Sequence, residues 1–89
     1  MLLVTPALTQ IGTEQDPAVR LRQLWGTNIK RARELRGMSR ADLADAVEVT
    51  EAAVGMWERG ETSPRPHLQL AIARAVDTEH KLLFPVVAA

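Results

Sequence analysis

Apolar side chains recur at helical spacing from residue 16 onwards, and this spacing predicts an all-α protein of five helices. The pair Asp16-Pro17 predicts the start of the first helix, because Asp is a preferred N-cap and Pro favours the first helical position. Gly37 predicts where that helix ends, and Gly26 predicts a bend or a split within it. The apolar stripe of this helix contains Val19, Leu21, Leu24, Trp25, Ile29 and Ala32.

The middle of the chain predicts two short helices, at about 40–47 and 51–59, joined by a short turn. Ser39 and Asp42 have the spacing of a capping box at the start of the earlier helix. The hydroxyl of Thr50 is placed to cap the later helix. Two short helices joined in this way form a helix-turn-helix. Their apolar stripes contain Leu43, Ala44, Val47, Val54 and Trp57.

Two further helices are predicted after a loop that begins at Gly60. Pro66 suits the first position of the fourth helix. Asp77-Thr78 interrupts the helical pattern, a fifth helix follows at about 79–84, and Pro85 ends it. The apolar residues of these two helices are Leu68, Ile72, Ala75, Val76, Leu82, Leu83 and Phe84.

The pattern divides the chain into a flexible arm at residues 1–15, a helical domain at 16–84 and a tail at 85–89. The two ends carry apolar residues that the five helices do not use. These residues favour a weak homodimer through the chain ends, and the alternative is a monomer with solvated tails. They are Leu2, Leu3, Val4, Phe84, Val86 and Val87.

Charge is unevenly distributed, although the formal net charge is zero. Residues 20–40 carry seven basic side chains and one acidic one, whereas residues 41–89 carry four basic and eight acidic ones. The first helix therefore carries a positive field. Beside a helix-turn-helix, such a field favours phosphate binding over a basic face that is merely solvated.

Several kinds of chemistry have little support in the composition. The chain has no Cys and no Tyr, and His67 and His80 are isolated, so we expect no enzyme, no metal site and no cofactor. The apolar start is broken by Pro6 and lacks basic flanks, so we expect neither a signal peptide nor a membrane span. A reducing cytoplasm is the default location.

The helix-turn-helix and its flanks resemble the Cro/C1-type family of phage and bacterial repressors, also called the XRE family. The resemblance covers roughly residues 25–84 and implies a five-helix, lambda-repressor-like DNA-binding domain in a bacterial cytoplasm, associated with the nucleoid. It implies a sequence-specific transcriptional regulator. The alternative is a protein-interaction module, such as an antitoxin or antirepressor, that retains the fold. The matching residues are Ile29-Lys30, Arg33, Gly37-Met38-Ser39, Leu43, Ala44, Val47, Val49, Val54, Trp57-Glu58-Arg59-Gly60, Pro64, Leu68, Ile72-Ala73, Val76 and Leu82-Leu83.

Three positions depart from the pattern of the family. Arg40 stands where members usually have Gln, and Gly55 replaces a common Ser. Glu48 stands in the turn where members usually have a left-handed Gly. A residue other than Gly there implies either strain of about 1–2 kcal/mol or a turn of different shape.

The later helix of the motif is expected to enter the major groove of duplex DNA. Arg40 and Arg59 each suit a guanine edge or a phosphate, and Glu51 either accepts from cytosine or complements the helix dipole. The residues expected at base edges are Arg40, Glu51, Ala52, Gly55, Met56 and Arg59. Those expected at phosphates are Arg31, Arg33, Arg36, Ser39, Thr50, Thr62 and Arg65. The resemblance also implies an ion pair between Arg33 and Glu58 that links the first helix to the end of the recognition helix.

Overall fold

The computed structural model describes residues 16–86, and within them the backbone forms five α-helices. The predicted all-α class is confirmed, and the helices lie close to their predicted bounds. No helix in this part of the chain is long and apolar enough to cross a membrane. The predicted arm and the last three residues of the predicted tail lie outside the described residues. The helices are α1 (Pro17–Leu35), α2 (Arg40–Ala46), α3 (Glu51–Glu58), α4 (Pro66–Ala75) and α5 (His80–Leu83).

Local capping explains where the first three helices begin. Asp16 caps α1, and Pro17 takes its first position. Ser39 and Asp42 form the predicted capping box, with both hydrogen bonds 2.9 Å long. The Thr50 hydroxyl accepts a hydrogen bond of 3.1 Å from an N–H in the first turn of α3. Each of these bonds satisfies an N–H group that the start of a helix leaves without a partner.

The helices enclose one hydrophobic core, to which all five contribute. α3 packs against α1 and α2, while α5 packs against α1 and α4. Trp57 is buried at the end of α3. Each helix supplies one of the six largest fully buried side chains, and the sixth, Val76, directly follows α4; the six are Ile29, Leu43, Val54, Ile72, Val76 and Leu83.

Phe84 belongs to this core and not to the surface of the chain ends. Its ring lies edge-on to the Trp25 ring, with centroids 5.4 Å apart, and it is only 2% exposed. The Trp25 indole N–H also donates to the Pro85 carbonyl (2.9 Å), which fixes the chain beyond α5. The prediction that the fifth helix contributes Phe84 to the core is confirmed. The expectation that Phe84 is also available to a second subunit is wrong, because α1 supplies an aromatic partner that buries it.

The turn between α2 and α3 has Glu48 at the position where family members usually have a left-handed glycine. Glu48 adopts φ +60°, the left-handed conformation that glycine accepts most readily. The next N–H, of Val49, donates to the Ala44 carbonyl (2.9 Å) and closes the turn on α2. The chain thus forms the left-handed turn at a strain of about 1–2 kcal/mol.

Gly26 does not split α1, which runs without interruption to Leu35. Its role is contact with α3. A Cβ atom at this position would lie 2.3 Å from the Trp57 carbonyl oxygen and 2.7 Å from that of Glu58. Because both obstacles are backbone atoms, the end of α3 reaches this depth only where α1 has no side chain.

Replacing Gly26 by Ala should lower the free energy of unfolding by about 1–3 kcal/mol, because the added methyl group overpacks the contact between α1 and α3. Chemical denaturation followed by circular dichroism measures this loss. Gly55→Ala is the matched control, since a Cβ there meets only the ends of arginine side chains. The control should retain or raise stability, because Ala favours a helix over Gly. A Gly26→Ala protein as stable as wild type would contradict the contact.

Candidate nucleic-acid interface

α3 has one side in the core and one side open to solvent. Val54 and Trp57 form its core side. The helix has eight residues, and the side opposite Val54 and Trp57 faces outward. Three of the predicted base-contact residues on this outer side are exposed and one is partly buried; they are Glu51, Ala52, Arg59 and, partly buried, Met56.

The predicted ion pair between Arg33 and Glu58 is present and buried. The Arg33 Nε lies 2.7 Å from one carboxylate oxygen of Glu58, and its Nη2 lies 3.1 Å from the other. Its Nη1 donates to the Met38 carbonyl at 2.7 Å. The hydrogen bond to Glu58 raises the pKa of Arg33, against the lowering effect of burial. One side chain thus joins α1, the loop before α2 and the end of α3.

This geometry removes Arg33 from the expected phosphate contacts. Its side chain is only 8% exposed, and each of its three guanidinium nitrogens already donates to a partner within the protein. The two terminal nitrogens each keep a second N–H, but the buried position of the side chain leaves a phosphate little access to them. Arg33 therefore supports the interface from behind and does not form part of its surface.

Arg40 and Arg59 converge beside Gly55 on the outer side of α3. A Cβ atom at Gly55 would lie 3.0 Å from Nη1 of Arg59 and 3.8 Å from Nη1 of Arg40. Arg59 also donates from Nε to Glu61 at 2.7 Å, and both side chains of this pair are about half exposed. The hydrogen bond raises the pKa of Arg59 and lowers that of Glu61.

Arg31 and Arg36 lie beside the α4–α5 turn and α5. They line a groove of about 360 Å³ between α1 and the segment formed by the α4–α5 turn and α5. Arg36 contacts Asp77 of that turn at 3.3 Å. Neither of them is among the atoms nearest to a Cβ at Gly55, where Arg40 and Arg59 converge.

The remaining expected phosphate contacts flank α3. Ser39 and Thr50 cap α2 and α3 through their hydroxyls, so the free N–H groups of both helix starts lie beside them. Thr62 and Arg65 are exposed in the loop that follows α3. These four residues and the outer side of α3 form the surface that we call the α3 face.

Comparison with known proteins assigns this arrangement to a family. A helix-turn-helix family model, HTH_3, matches residues 29–83, more than half of the chain. The chain belongs to the HTH_3 helix-turn-helix family. This is a family of DNA-binding regulators, and the resemblance inferred from the sequence is confirmed.

Solved structures of other proteins share this HTH_3 fold. The P22 c2 repressor protein, in complex with synthetic operator 9T, is 32% identical over 71% of this chain and 96% of its own, with a TM-score of 0.68. The restriction-modification controller protein C.AhdI from Aeromonas hydrophila is 28% identical over 71% and 96%, with a TM-score of 0.67. An HTH_3 family transcriptional regulator from Vibrio cholerae is 28% identical over 75% of this chain and 38% of its own, with a TM-score of 0.68. No curated protein sequence matches the chain.

Two residues of α1 that the sequence does not point to contact the loop after α3. Arg22 donates from Nε to the Gly60 carbonyl at 3.2 Å. Gln23 lies so close to Gly60 that a Cβ there would meet its Cγ at 2.8 Å. The helical spacing alone assigns both to α1 but does not show which neighbour they contact. Glu61 was also missed, because a carboxylate two residues after Arg59 is a common arrangement on any protein surface.

Removing either partner of the Arg33–Glu58 pair should cost the HTH_3 domain about 3–5 kcal/mol, because the other charge remains buried and unpaired. We expect Arg33→Ala and Glu58→Ala together to cost much less than the sum of the single changes. A double-mutant cycle in urea measures this coupling. Arg36 and Asp77 are the matched control, because their contact is exposed and should contribute about 0–1 kcal/mol. Equal coupling in the two pairs would contradict the role of the buried one.

Proposed function

We propose that this protein is a sequence-specific transcriptional regulator that binds double-stranded DNA through the α3 face, with α3 in the major groove. The observation that carries the proposal is the combination of a recognition helix held by a buried ion pair and an outer side that presents Arg40 and Arg59. A rigid helix with two converging guanidinium groups suits the acceptors on base edges. The host location that follows is the bacterial cytoplasm, with the protein on the nucleoid.

The structural relatives support this proposal. The P22 c2 repressor protein is solved in complex with an operator, and C.AhdI is a controller protein. This chain covers 96% of each of those two chains, so the likeness extends over nearly their whole length. The two proteins are 28% and 32% identical to this chain.

The proposed contacts divide into two groups by their place around α3. We assign Glu51, Ala52 and Met56 to base edges, where a carboxylate would accept from cytosine N4 and apolar groups would contact a thymine methyl. We assign Thr62 and Arg65 to phosphates, together with the N–H groups beside Ser39 and Thr50. We leave Arg31 and Arg36 out of the phosphate group, because the groove that they line faces α5.

Replacing Arg65 by Ala should weaken binding to all duplexes alike and flatten the slope of log affinity against log salt by about one unit. Fluorescence anisotropy with a labelled duplex of random sequence, at several salt concentrations, measures the slope. Arg31→Ala is the matched control, since it removes the same charge from the α5 side. We expect the control to keep the wild-type slope. An equal decrease of the salt slope in both variants would show that phosphate binding is not confined to the α3 face.

A second candidate function is a protein-interaction module, such as an antitoxin or antirepressor. The observation that favours it is a series of exposed acidic side chains along α2, the turn and the start of α3: Asp42, Asp45, Glu48 and Glu51. Such a surface suits a basic protein partner better than a phosphate backbone. A salt-dependent shift on duplex DNA by the isolated protein supports the regulator, and its absence at low salt supports the interaction module.

We also propose that the regulator binds as a weak homodimer through its chain ends. Val86 is 85% exposed. It lies just beyond α5 and is the last of the described residues. The other apolar residues of the ends lie outside the described residues. Two copies would present two α3 helices to two half-sites about one helical turn apart.

Analytical ultracentrifugation at high micromolar concentration should show a monomer–dimer equilibrium. Val86→Ser and removal of residues 1–15 should each shift it toward monomer, because each removes apolar area from the interface. Leu70→Ser is the matched control, since Leu70 is an exposed leucine on α4 and away from the ends. A monomer at every concentration, with one protein bound to each duplex, would contradict the dimer.

A further inference from the structure

Gly55 occupies a position where the fold does not require a glycine. Glycine in the middle of a helix is unfavourable, because the unfolded chain loses more conformational freedom there than with alanine. At Gly26 backbone carbonyls exclude a Cβ, but at Gly55 the nearest atoms to a Cβ are the ends of the Arg59 and Arg40 side chains. A flexible side chain moves aside at little expense. A side chain at position 55 would therefore affect the arginines on the outer side of α3 and not the packing of the core.

The missing side chain brings two positive charges to one place. The Nη1 atoms of Arg40 and Arg59 lie 3.8 and 3.0 Å from the same point, so they are within about 7 Å of each other. They cover Gly55, which is buried although it does not face the core. Like charges at this distance repel, and the Glu61 carboxylate, 2.7 Å from Arg59 Nε, offsets part of that repulsion.

The orientation of Arg59 leaves its far end available. Glu61 takes the Nε–H, which lies on the side of the guanidinium group nearest its own stem. Neither terminal nitrogen of Arg59 has a hydrogen-bond partner among the described residues. The two terminal nitrogens form the end of the planar fork that matches guanine O6 and N7. Glu61 thus restricts how the fork turns without occupying it.

We infer that Gly55 and Glu61 are specificity-determining residues, and that they position Arg40 and Arg59 to read two neighbouring guanines in the major groove. Stacked bases on one strand rise by about 3.4 Å, so two guanidinium groups within 7 Å of each other span one or two base steps. Gly55 acts by leaving space for the two guanidinium groups, and Glu61 acts by accepting the hydrogen bond that orients the guanidinium group of Arg59. The inference rests on the proposed function and adds to it the base that the α3 face prefers.

Selection of bound duplexes from a random pool tests the inference. Wild type should enrich two guanines within one or two steps of each other on one strand. Gly55→Ala should reduce the preference for those guanines about tenfold or more, because the methyl group displaces the Arg59 fork. Its affinity for random duplex should fall much less than its preference for guanine, because no charge is lost. Its melting temperature should equal or exceed that of wild type, which separates loss of specificity from loss of fold.

Glu61→Ala provides a second, independent readout. It should also relax the guanine preference, because the Arg59 fork turns freely, while binding to random duplex at low salt becomes tighter through loss of a negative charge. Glu79→Ala is the matched control, since it removes the same charge from the start of α5, outside the α3 face. The control should leave the guanine preference as it is.

Three results would overturn the inference, and they distinguish it from the proposed function. If wild type binds selectively but Gly55→Ala retains the same guanine preference, the glycine and the fork are not linked, and the proposed function stands. If Arg40→Ala and Arg59→Ala weaken all sequences equally, both arginines hold phosphates, and DNA binding again stands. If wild type shows no salt-dependent binding to any duplex, the proposed function and the inference fail together.

Discussion

The buried ion pair between Arg33 and Glu58 sets the position of α3 in this domain. Arg33 donates to both oxygens of Glu58 and to the Met38 carbonyl, so one guanidinium group connects three segments of the chain. A buried charge without its partner is strongly destabilising. Any displacement of α3 along α1 would separate the two charges in a region with little water. The pair therefore defines one register between the two helices, whatever its net contribution to stability.

Close backbone contacts reinforce the same register. The end of α3 rests on Gly26, and the loop after it rests on Gln23 through Gly60. The Arg22 side chain then holds the Gly60 carbonyl. Glycine contacts of this kind act as a shape constraint, because no rotation of a side chain relieves them. The ion pair and the glycine contacts thus both fix the position of the C-terminal end of α3. Neither of them uses the outer side of the helix.

Arginines in this small chain have three separate roles, although they are close in sequence. Arg33 is internal, Arg31 and Arg36 line the groove toward α5, and Arg40 and Arg59 lie over the outer side of α3. The sum of charges is zero, but the field near a surface depends on which charges face it. A basic segment in the sequence is therefore a poor guide to a basic face in the fold.

Local chemistry explains what the sequence already predicted. The capping box of Ser39 and Asp42, the Thr50 cap and the start at Pro17 depend on residues within one helical turn, so spacing alone identifies them. The Arg33–Glu58 pair was also expected, but from a family resemblance and not from spacing, because its partners are 25 positions apart.

By itself, then, the sequence determined five helices, their starts and the helix-turn-helix, because hydrogen bonding and apolar periodicity act over a few residues. Only the tertiary structure decided that Gly26 is a contact, that Arg33 is buried and that Arg40 and Arg59 meet beside Gly55. Each of these depends on which helix lies opposite, and that choice results from packing all the apolar stripes together. The outer side of α3 is left over from this packing, so its two arginines and its glycine became recognisable as a unit only in the folded chain.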